Sequence, residues 1–371
     1  MRPIAFYLPQ YHPIPENNEW WGAGFTEWTN VALSRPLFRG HYQPHIPGQL
    51  GFYDLRNPES REEQAALARA YGVAGFCYYH YWFAGRRILE RPLSEALSSG
   101  KPDFPLCVCW ANETWTGVWH GAPKRILIEQ TYPGDDDTRR HFDTLLPVFL
   151  DKRYMEFCGK KIFIIYRPEN LPNPERTLTL WRILAQKNNI ALHIVGTSAT
   201  AEWRPENDGF DAKILLPNIN WRGWASWNRP LARIKQEIQI RRGVPKLYQQ
   251  SEVNEHYLDV FRSNRAAMGN GVYPCLTHAW DNTPRSGVNG VAFLGSTPEK
   301  YDELIAKTLR VMRETMSSDT KNEEKAAQIY KDTPIFLRAW NEWAEGNHLE
   351  PDRKYGTAYL DVIKKYFKPH G

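Results

Sequence analysis

The sequence predicts an α/β protein folded as one (β/α)8 TIM barrel, a single domain over residues 1–371 with long loops after its strands. Three observations carry this. Short apolar runs recur along the chain with helices or helix-sized gaps between them, and neither a linker nor an internal repeat interrupts the series. A chain of 371 residues fits one barrel core, since α/β barrels routinely run past about 250 residues as a single unit. Polar and ionisable residues follow the apolar runs rather than precede them: His12, His80, Asn112 with Glu113, Tyr166 with Glu169, Asn218, Asp281, and Glu342 with Glu345. Barrel enzymes carry their chemistry at the carboxyl ends of the strands in this way. A doubly wound sheet would need a Gly-rich phosphate turn after the first strand, and YLPQYHP contains none.

In chain order, Ile4–Leu8 is the first strand and turns polar at Pro9, Gln10, Tyr11 and His12. Pro13 to Asn57 is rich in Gly, Pro and Trp without a sustained helical period, so it reads as a long functional loop whose aromatic content argues against disorder. Pro58 opens a helix, with Glu59, Glu62 and Glu63 near its start and an end at Gly72. Val73–Tyr79 is the second strand, running into His80, Tyr81 and Trp82, and a short helix around Leu93–Leu97 leads to the third, Leu106–Trp110, which exits as WANETW. Asp135–Asp137 cap a helix through Leu150. Strands four, five and six are Ile162–Tyr166, Leu192–Val195 and Ala212–Leu216, with a helix at Glu175–Gln186 after the fourth. Helices at Leu231–Arg241 and Val253–Met268 precede strand seven, Tyr273–Leu276, which exits as THAWDN. Pro298–Met316 is an amphipathic helix, Asn322–Lys331 a charged, solvated insertion, Ile335–Leu337 the eighth strand, and Thr357–Phe367 the closing helix.

Composition removes several function classes. A net charge of +5 with Lys and Arg scattered leaves no electrostatic footprint for nucleic acid. The N-terminus enters an apolar strand at once without the long apolar core of a signal peptide, and no window reaches about eighteen apolar residues, so no membrane insertion and a cytoplasmic location are expected. Cys107 and Cys109, among five cysteines, would point to opposite faces of a strand, which suits reduced structural residues rather than a disulfide frame or zinc site. No HExxH or comparable spacing occurs, so neither a catalytic metal nor a cofactor is expected. The Asp135-Asp136-Asp137 run could hold a divalent ion against a nucleotide diphosphate, but it directly precedes a helix, where acidic residues are ordinary. Aromatics are abundant: 15 Trp, 19 Tyr and 16 Phe make 13% of the chain. Tryptophans within WWGAGFTEW, WANETWTGVW and NINWRGWASWN are hard to bury wholesale and are expected to line a cleft.

The most informative stretch is FLRAWNEWAEGNHLEP, Phe336 to Pro351. Glu342 and Glu345 stand three residues apart just past a strand, close enough for one to be neutral while the other is ionised, as acid/base chemistry requires. Trp340 and Trp343 are read as apolar faces beside them, Asn341 as a substrate contact, and Glu350 as solvated or helix-capping. Aromatic platforms beside paired carboxylates point to a sugar ring at a glycosidic bond, hence to an oligo- or polysaccharide as the partner. Further sugar contacts are expected from Tyr11 and His12, from Tyr79, His80, Tyr81 and Trp82, from Trp110, Asn112 and Glu113 with Trp115, from Tyr166, and from Trp28 beside Glu27 and Trp280 beside His278 and Asp281.

On these residues the chain resembles the WbsX-type proteins of polysaccharide biosynthesis clusters, which carry a glycoside hydrolase family 99-like domain. AFYLPQYHPIPENNEWWGAGFTEWTNV, GFCYYHYWF, WANETWT and RAWNEWAEGNHLEP carry the similarity across nearly the whole chain. The resemblance implies a (β/α)8 barrel and a retaining hydrolase whose catalytic loop reads N-E-W-x-E-G, matched here by Asn341, Glu342, Trp343, Glu345 and Gly346. It further implies that Glu342 takes the proton of the substrate's own 2-hydroxyl, which attacks the anomeric carbon to give a 1,2-anhydro sugar, and that Glu345 serves as acid and then base. The variable position is commonly histidine in the mannosidases of that family and is Ala344 here, so the sugar does not carry over. Three functions compete: a retaining glycosidase acting on a bacterial surface polysaccharide or its precursor, a glycosyltransferase of O-antigen or capsule biosynthesis, and a catalytically silent carbohydrate-binding barrel. The sugar, its linkage, endo or exo action and the oligomeric state are left open.

Overall fold

The computed structural model describes residues 1–117, 122–218, 241–315 and 323–367. Eight parallel strands form its centre: β1 (Arg2–Tyr7), β2 (Gly75–Phe83), β3 (Leu106–Trp110), β4 (Lys160–Ile165), β5 (Leu192–Ser198), β6 (Ala212–Leu215), β7 (Val272–Thr277) and β8 (Pro334–Arg338). Each pairs in parallel with its neighbour, and β1 pairs with both β2 (Ile4 opposite Gly75) and β8 (Ile4 opposite Phe336), which closes the barrel. Strands covered on both faces need no polar alternation. β3 and β8 are accordingly buried at every position. Phe6 of β1 stacks on Tyr79 of β2 and meets Phe336 of β8, with centroids 5.5 and 5.6 Å apart, filling part of the barrel with aromatic rings.

The outer layer comprises α3 (Pro58–Ala70), α4 (Arg91–Ser99), α5 (Asp135–Phe149), α6 (Pro174–Lys187), α7 (Gln250–Met268), α8 (Pro298–Glu314), α9 (Glu323–Asp332) and α10 (Ala358–Tyr366). Their starts follow capping chemistry: Asn57, Asn173 and Thr297 accept from backbone N–H groups of the first turn, and each is followed by Pro at the first helical position. Four cysteines are free and buried in the barrel strands, and Cys158 is free and exposed.

Two predicted loops contain helices. The Pro13–Asn57 segment holds α1 (Pro15–Trp21) and α2 (Glu27–Leu33), each two turns long and so too short for a readable period. The segment read as a solvated insertion before β8 includes α9, a charged helix. The second strand runs on to Phe83 because its polar end is itself covered: Tyr81 to Phe83 pair with Arg86–Ile88 in a hairpin. The predicted helix at Leu231–Arg241 and the tryptophans of NINWRGWASWN fall on 219–240, outside the described residues apart from Arg241.

Candidate functional site

Beyond Arg338 the chain folds into a tight turn at the carboxyl mouth of the barrel. A single 3-10 turn spans Trp343–Glu345 and ends at Gly346, whose φ is +63°. A Cβ there would lie 2.9 Å from the Asp281 Cβ and 3.0 Å from its backbone nitrogen, so both backbone conformation and space require glycine. Asn341 fixes the turn from inside. Its Oδ1 accepts from the Leu8 N–H at 2.7 Å and its Nδ2 donates to the Leu8 carbonyl at 3.0 Å, tying the turn to the end of β1 as a strand neighbour would. The Tyr11 hydroxyl donates to the Asn341 carbonyl. The Asp281 N–H donates to the Glu345 carbonyl at 2.7 Å, joining the turn to the loop after β7.

Both glutamates of the turn converge on one guanidinium. Arg285, on a one-turn helix (Thr283–Ser286) after β7, donates from Nη2 to Glu342 at 2.8 Å, from Nη1 to Glu345 at 2.7 Å and from Nε to Glu27 at 2.7 Å. Its side chain is 4% exposed and that of Glu27 0%. Arg338, the last residue of β8, approaches the second Glu345 oxygen at 3.5 Å while its guanidinium lies over the Trp280 ring at 4.6 Å. Burial, reinforced by the neighbouring carboxylates of Glu345 and Glu27 and opposed by Arg285, pushes the Glu342 carboxyl up to about 8. Glu342 therefore carries a proton near neutral pH. Its Oε1 has no hydrogen-bond partner among the described residues, whereas both Glu345 oxygens face guanidinium groups.

These carboxylates form one wall of a cleft of about 250 Å³. Of the residues singled out from the sequence, Tyr79, Glu113, Tyr166, Glu342 and Glu345 line it, together with Trp115 of the WANETW stretch. Tyr79 and Tyr166 have their phenols raised by burial and so remain hydrogen-bond donors. Trp21, from the WWGAGFTEW stretch, and Tyr81 also stand on its walls, as do Arg285 and Arg338, two cations the sequence does not single out. Arg338 had a visible signal, a lone cation closing an apolar strand. Arg285 had none, because its partner Glu27 is 258 residues away.

The other expected sugar contacts are not among the residues that line this cleft. Asn341 is 0% exposed and clamps backbone. Trp343, with Trp340 fully buried beneath it, offers no face to the cleft: it stacks on His348 at 3.6 Å and donates from Nε1 to Glu350. Tyr11 and Trp28 pack in that same buried layer, with ring centroids 4.7 Å apart. His80 is hydrogen-bonded to His141 at 2.9 Å, and Trp82 stacks on the same His141 while donating to Asp137. Trp110 meets His141 edge-on at 4.6 Å. Asn112 is a loop clamp, accepting from the Arg167 N–H and donating to the Arg167 carbonyl, both at 2.8 Å. Trp280 lies under Arg338, and His12 is buried away from the cleft. An aromatic residue at a strand end can thus face substrate or support the residue that does, and spacing alone does not separate the two.

Glu350 is neither solvated nor a cap. It is 2% exposed and accepts from Gln64 at 2.6 Å, Tyr53 at 2.8 Å and Trp343 at 2.6 Å, forming a polar floor under the turn. In the Asp135–Asp137 run, Asp135 pairs with Arg176 at 2.9 Å, and Asp137 accepts from Trp82 and Arg140, both at 3.0 Å. Those two carboxylates are committed to the first turn of α5 and its neighbours.

The family model described as Glycosyltransferase WbsX matches residues 3–363. An uncharacterized protein WxcX from Xanthomonas campestris pv. campestris is 35% identical over 366 residues, covering 98% of this chain and 49% of its own length. Its counterpart in strain B100 matches to the same extent, so the chain spans about half the length of the curated relatives it matches. Among solved structures, a glycoside hydrolase-like protein superposes with a TM-score of 0.63 at 13% identity, over 99% of this chain and 94% of that one. The GH99 endo-alpha-mannosidase from Bacteroides thetaiotaomicron superposes with a TM-score of 0.53 at 14% identity, over 99% and 96%. At such identities the likeness establishes a shared (β/α)8 fold.

Proposed function

Because the chain belongs to the WbsX family and shares its barrel with glycoside hydrolases, we propose that this carbohydrate-active protein hydrolyses a glycosidic bond, with retention, in a bacterial surface polysaccharide or its oligosaccharide precursor. One observation carries the reading: two glutamates of a single turn meet at the carboxyl mouth of the barrel, in a cleft walled by Trp21, Trp115, Tyr79, Tyr81 and Tyr166. Flat rings beside paired carboxylates suit a pyranose held at its anomeric centre. Transfer from a nucleotide or lipid-phosphate donor would call on cationic groups for the phosphates, and here Arg285 and Arg338 are engaged by glutamates.

In the proposed division of labour, Glu342 accepts the proton of the substrate's 2-hydroxyl as that oxygen attacks the anomeric carbon, and Glu345 protonates the departing glycosidic oxygen. Water then opens the 1,2-anhydro sugar with both proton transfers reversed, and two inversions give retention. The raised pKa of Glu342 adds a condition. A carboxylate of that basicity is better matched to a hydroxyl proton, but it is in its active form only as pH rises through about 8. The opposed pairing, with Glu342 as acid and Glu345 as nucleophile or base, is favoured by the proton on Glu342 and by the two guanidinium groups facing Glu345.

The test is incubation with candidate glycans and no sugar nucleotide, followed by reducing-end assay and proton NMR of the first product. Release of the retained anomer supports hydrolysis. Strict dependence on an activated donor replaces it with transfer, and binding without turnover replaces it with a silent barrel. With a glycosyl fluoride, whose leaving group departs without protonation, Glu345→Gln should recover much of the roughly 10² to 10⁴-fold loss expected from removing a general acid, and Glu342→Gln should not.

A further inference from the structure

Behind the turn that carries Glu342 and Glu345 lies a second pocket, about 230 Å³, bounded by the loop after α2 and the segment 348–359. His45, His348 and Asp352 line it, and their donor atoms all lie within 4.8 Å of one another. The tautomers follow from the hydrogen bonds. His348 Nδ1 is 2.9 Å from the Glu350 carbonyl oxygen, which can only accept, so Nδ1 bears the hydrogen and Nε2 presents its lone pair. That lone pair faces His45 Nδ1 at 2.8 Å. A histidine whose far N–H is held by a backbone carbonyl is oriented as metal-ligating histidines are. Asp352 is fixed equally well: its Oδ1 accepts from the N–H groups of Lys354 at 2.9 Å and Tyr355 at 2.6 Å, and Oδ2 accepts from neither. The Lys354 ammonium opposes a cation, but it is drawn off over the Tyr42 and Tyr355 rings at 4.5 and 4.7 Å.

We propose that His45, His348 and Asp352 bind a divalent transition metal of the zinc class. Two imidazoles and one carboxylate are a recurrent zinc donor set, with a fourth position left for water or a ligand from the pocket. Binding requires His45 to move its hydrogen from Nδ1 to Nε2, a tautomer exchange through solvent with no net proton released. It also requires the two facing nitrogens to part from 2.8 Å to the separation of about 3.3 Å that tetrahedral ligands at about 2.0 Å impose. His45 and His348 are 303 residues apart, so no ligand spacing is visible in the sequence. The ion would staple the loop after α2 to the segment beneath the paired glutamates, acting through the His348 ring on Trp343. This inference does not depend on the hydrolytic reading.

The experiment uses untagged protein stripped with EDTA and dialysed into metal-free buffer, then titrated with ZnCl2 by calorimetry, with metal counted by mass spectrometry after gel filtration. One zinc per chain is expected, bound at micromolar Kd or tighter, and Co²⁺ in its place should show the intense visible bands of tetrahedral coordination. His348→Gln disturbs the Trp343 stack and is open to a folding artefact, so His45→Ala and Asp352→Asn carry the test, with circular dichroism confirming the fold. Each should weaken zinc at least about 100-fold, beyond the range of outer-shell losses, and abolish the zinc-induced rise in Tm. His256→Ala, on the outer helix α7, should leave both unchanged. Absence of stoichiometric zinc, or binding that survives both His45→Ala and Asp352→Asn, overturns the proposal.

Discussion

Glu342 offers a test that needs no substrate. Its carboxyl stands at about 8 in the folded protein against an ordinary 4.5, raised first by burial. Below pH 4.5 the group is protonated whether the chain is folded or not, and its contribution to stability is fully present. As pH rises from there, the unfolded chain gives up this proton and the folded chain keeps it, so stability falls until the folded form ionises near pH 8. Inside that window the slope for one group is at most about 1.4 kcal/mol per pH unit, shared in part with Glu345 and Glu27 around the same guanidinium. Glu342→Gln removes the titration and keeps the shape. Urea denaturation of wild type and variant at pH 5, 6, 7 and 8 should therefore show the variant gaining on wild type at each step, by several kcal/mol over the series. The absolute offset is unimportant, because glutamine also replaces the carboxyl oxygen that accepts from Arg285 with an amide. A stability difference independent of pH across this range would mean that Glu342 is already ionised at pH 5, and the argument from burial would fail.

Three further outcomes follow from the same geometry. Because one glutamate must be ionised and the other protonated, kcat/KM should be bell-shaped in pH with one limb near 8; a profile with no inflection near that value would count against Glu342 titrating there. Arg285→Met should destabilise the fold by about 3–5 kcal/mol, the cost of a buried charge left unpaired, because Glu27 is fully enclosed; adding Glu27→Gln should restore much of the stability in denaturant melts without restoring turnover, and additive losses would count against the shared clamp. Gly346→Ala should cost about 1–3 kcal/mol through its left-handed φ and the Asp281 backbone at 3.0 Å, with activity lost alongside; a variant within 0.5 kcal/mol of wild type, about the scatter of surface substitutions, would show that the turn tolerates another conformation.

The barrel was legible in the sequence because its signal is local. Leu106–Trp110 and Ile162–Ile165 are uninterrupted apolar runs, and a strand buried on both faces has no other way to read. The helices of the first long loop were not legible, because two turns give too few residues for a period. Within the site, the two glutamates stood out through proximity in the chain, three residues apart on a strand end. Their environment did not. The guanidinium that joins them comes from beyond β7, and its third partner comes from α2. The aromatic residues misled for a related reason. Trp343, Trp340 and Trp28 were read as platforms for a sugar, yet the turn needs a rigid floor, and large rings around a polar node such as Glu350 supply it. A sequence shows which residues are costly to place at a strand end. Whether that cost is recovered by a ligand or by the protein itself depends on what covers the position, and at His80, His141 supplies the cover from 61 residues away.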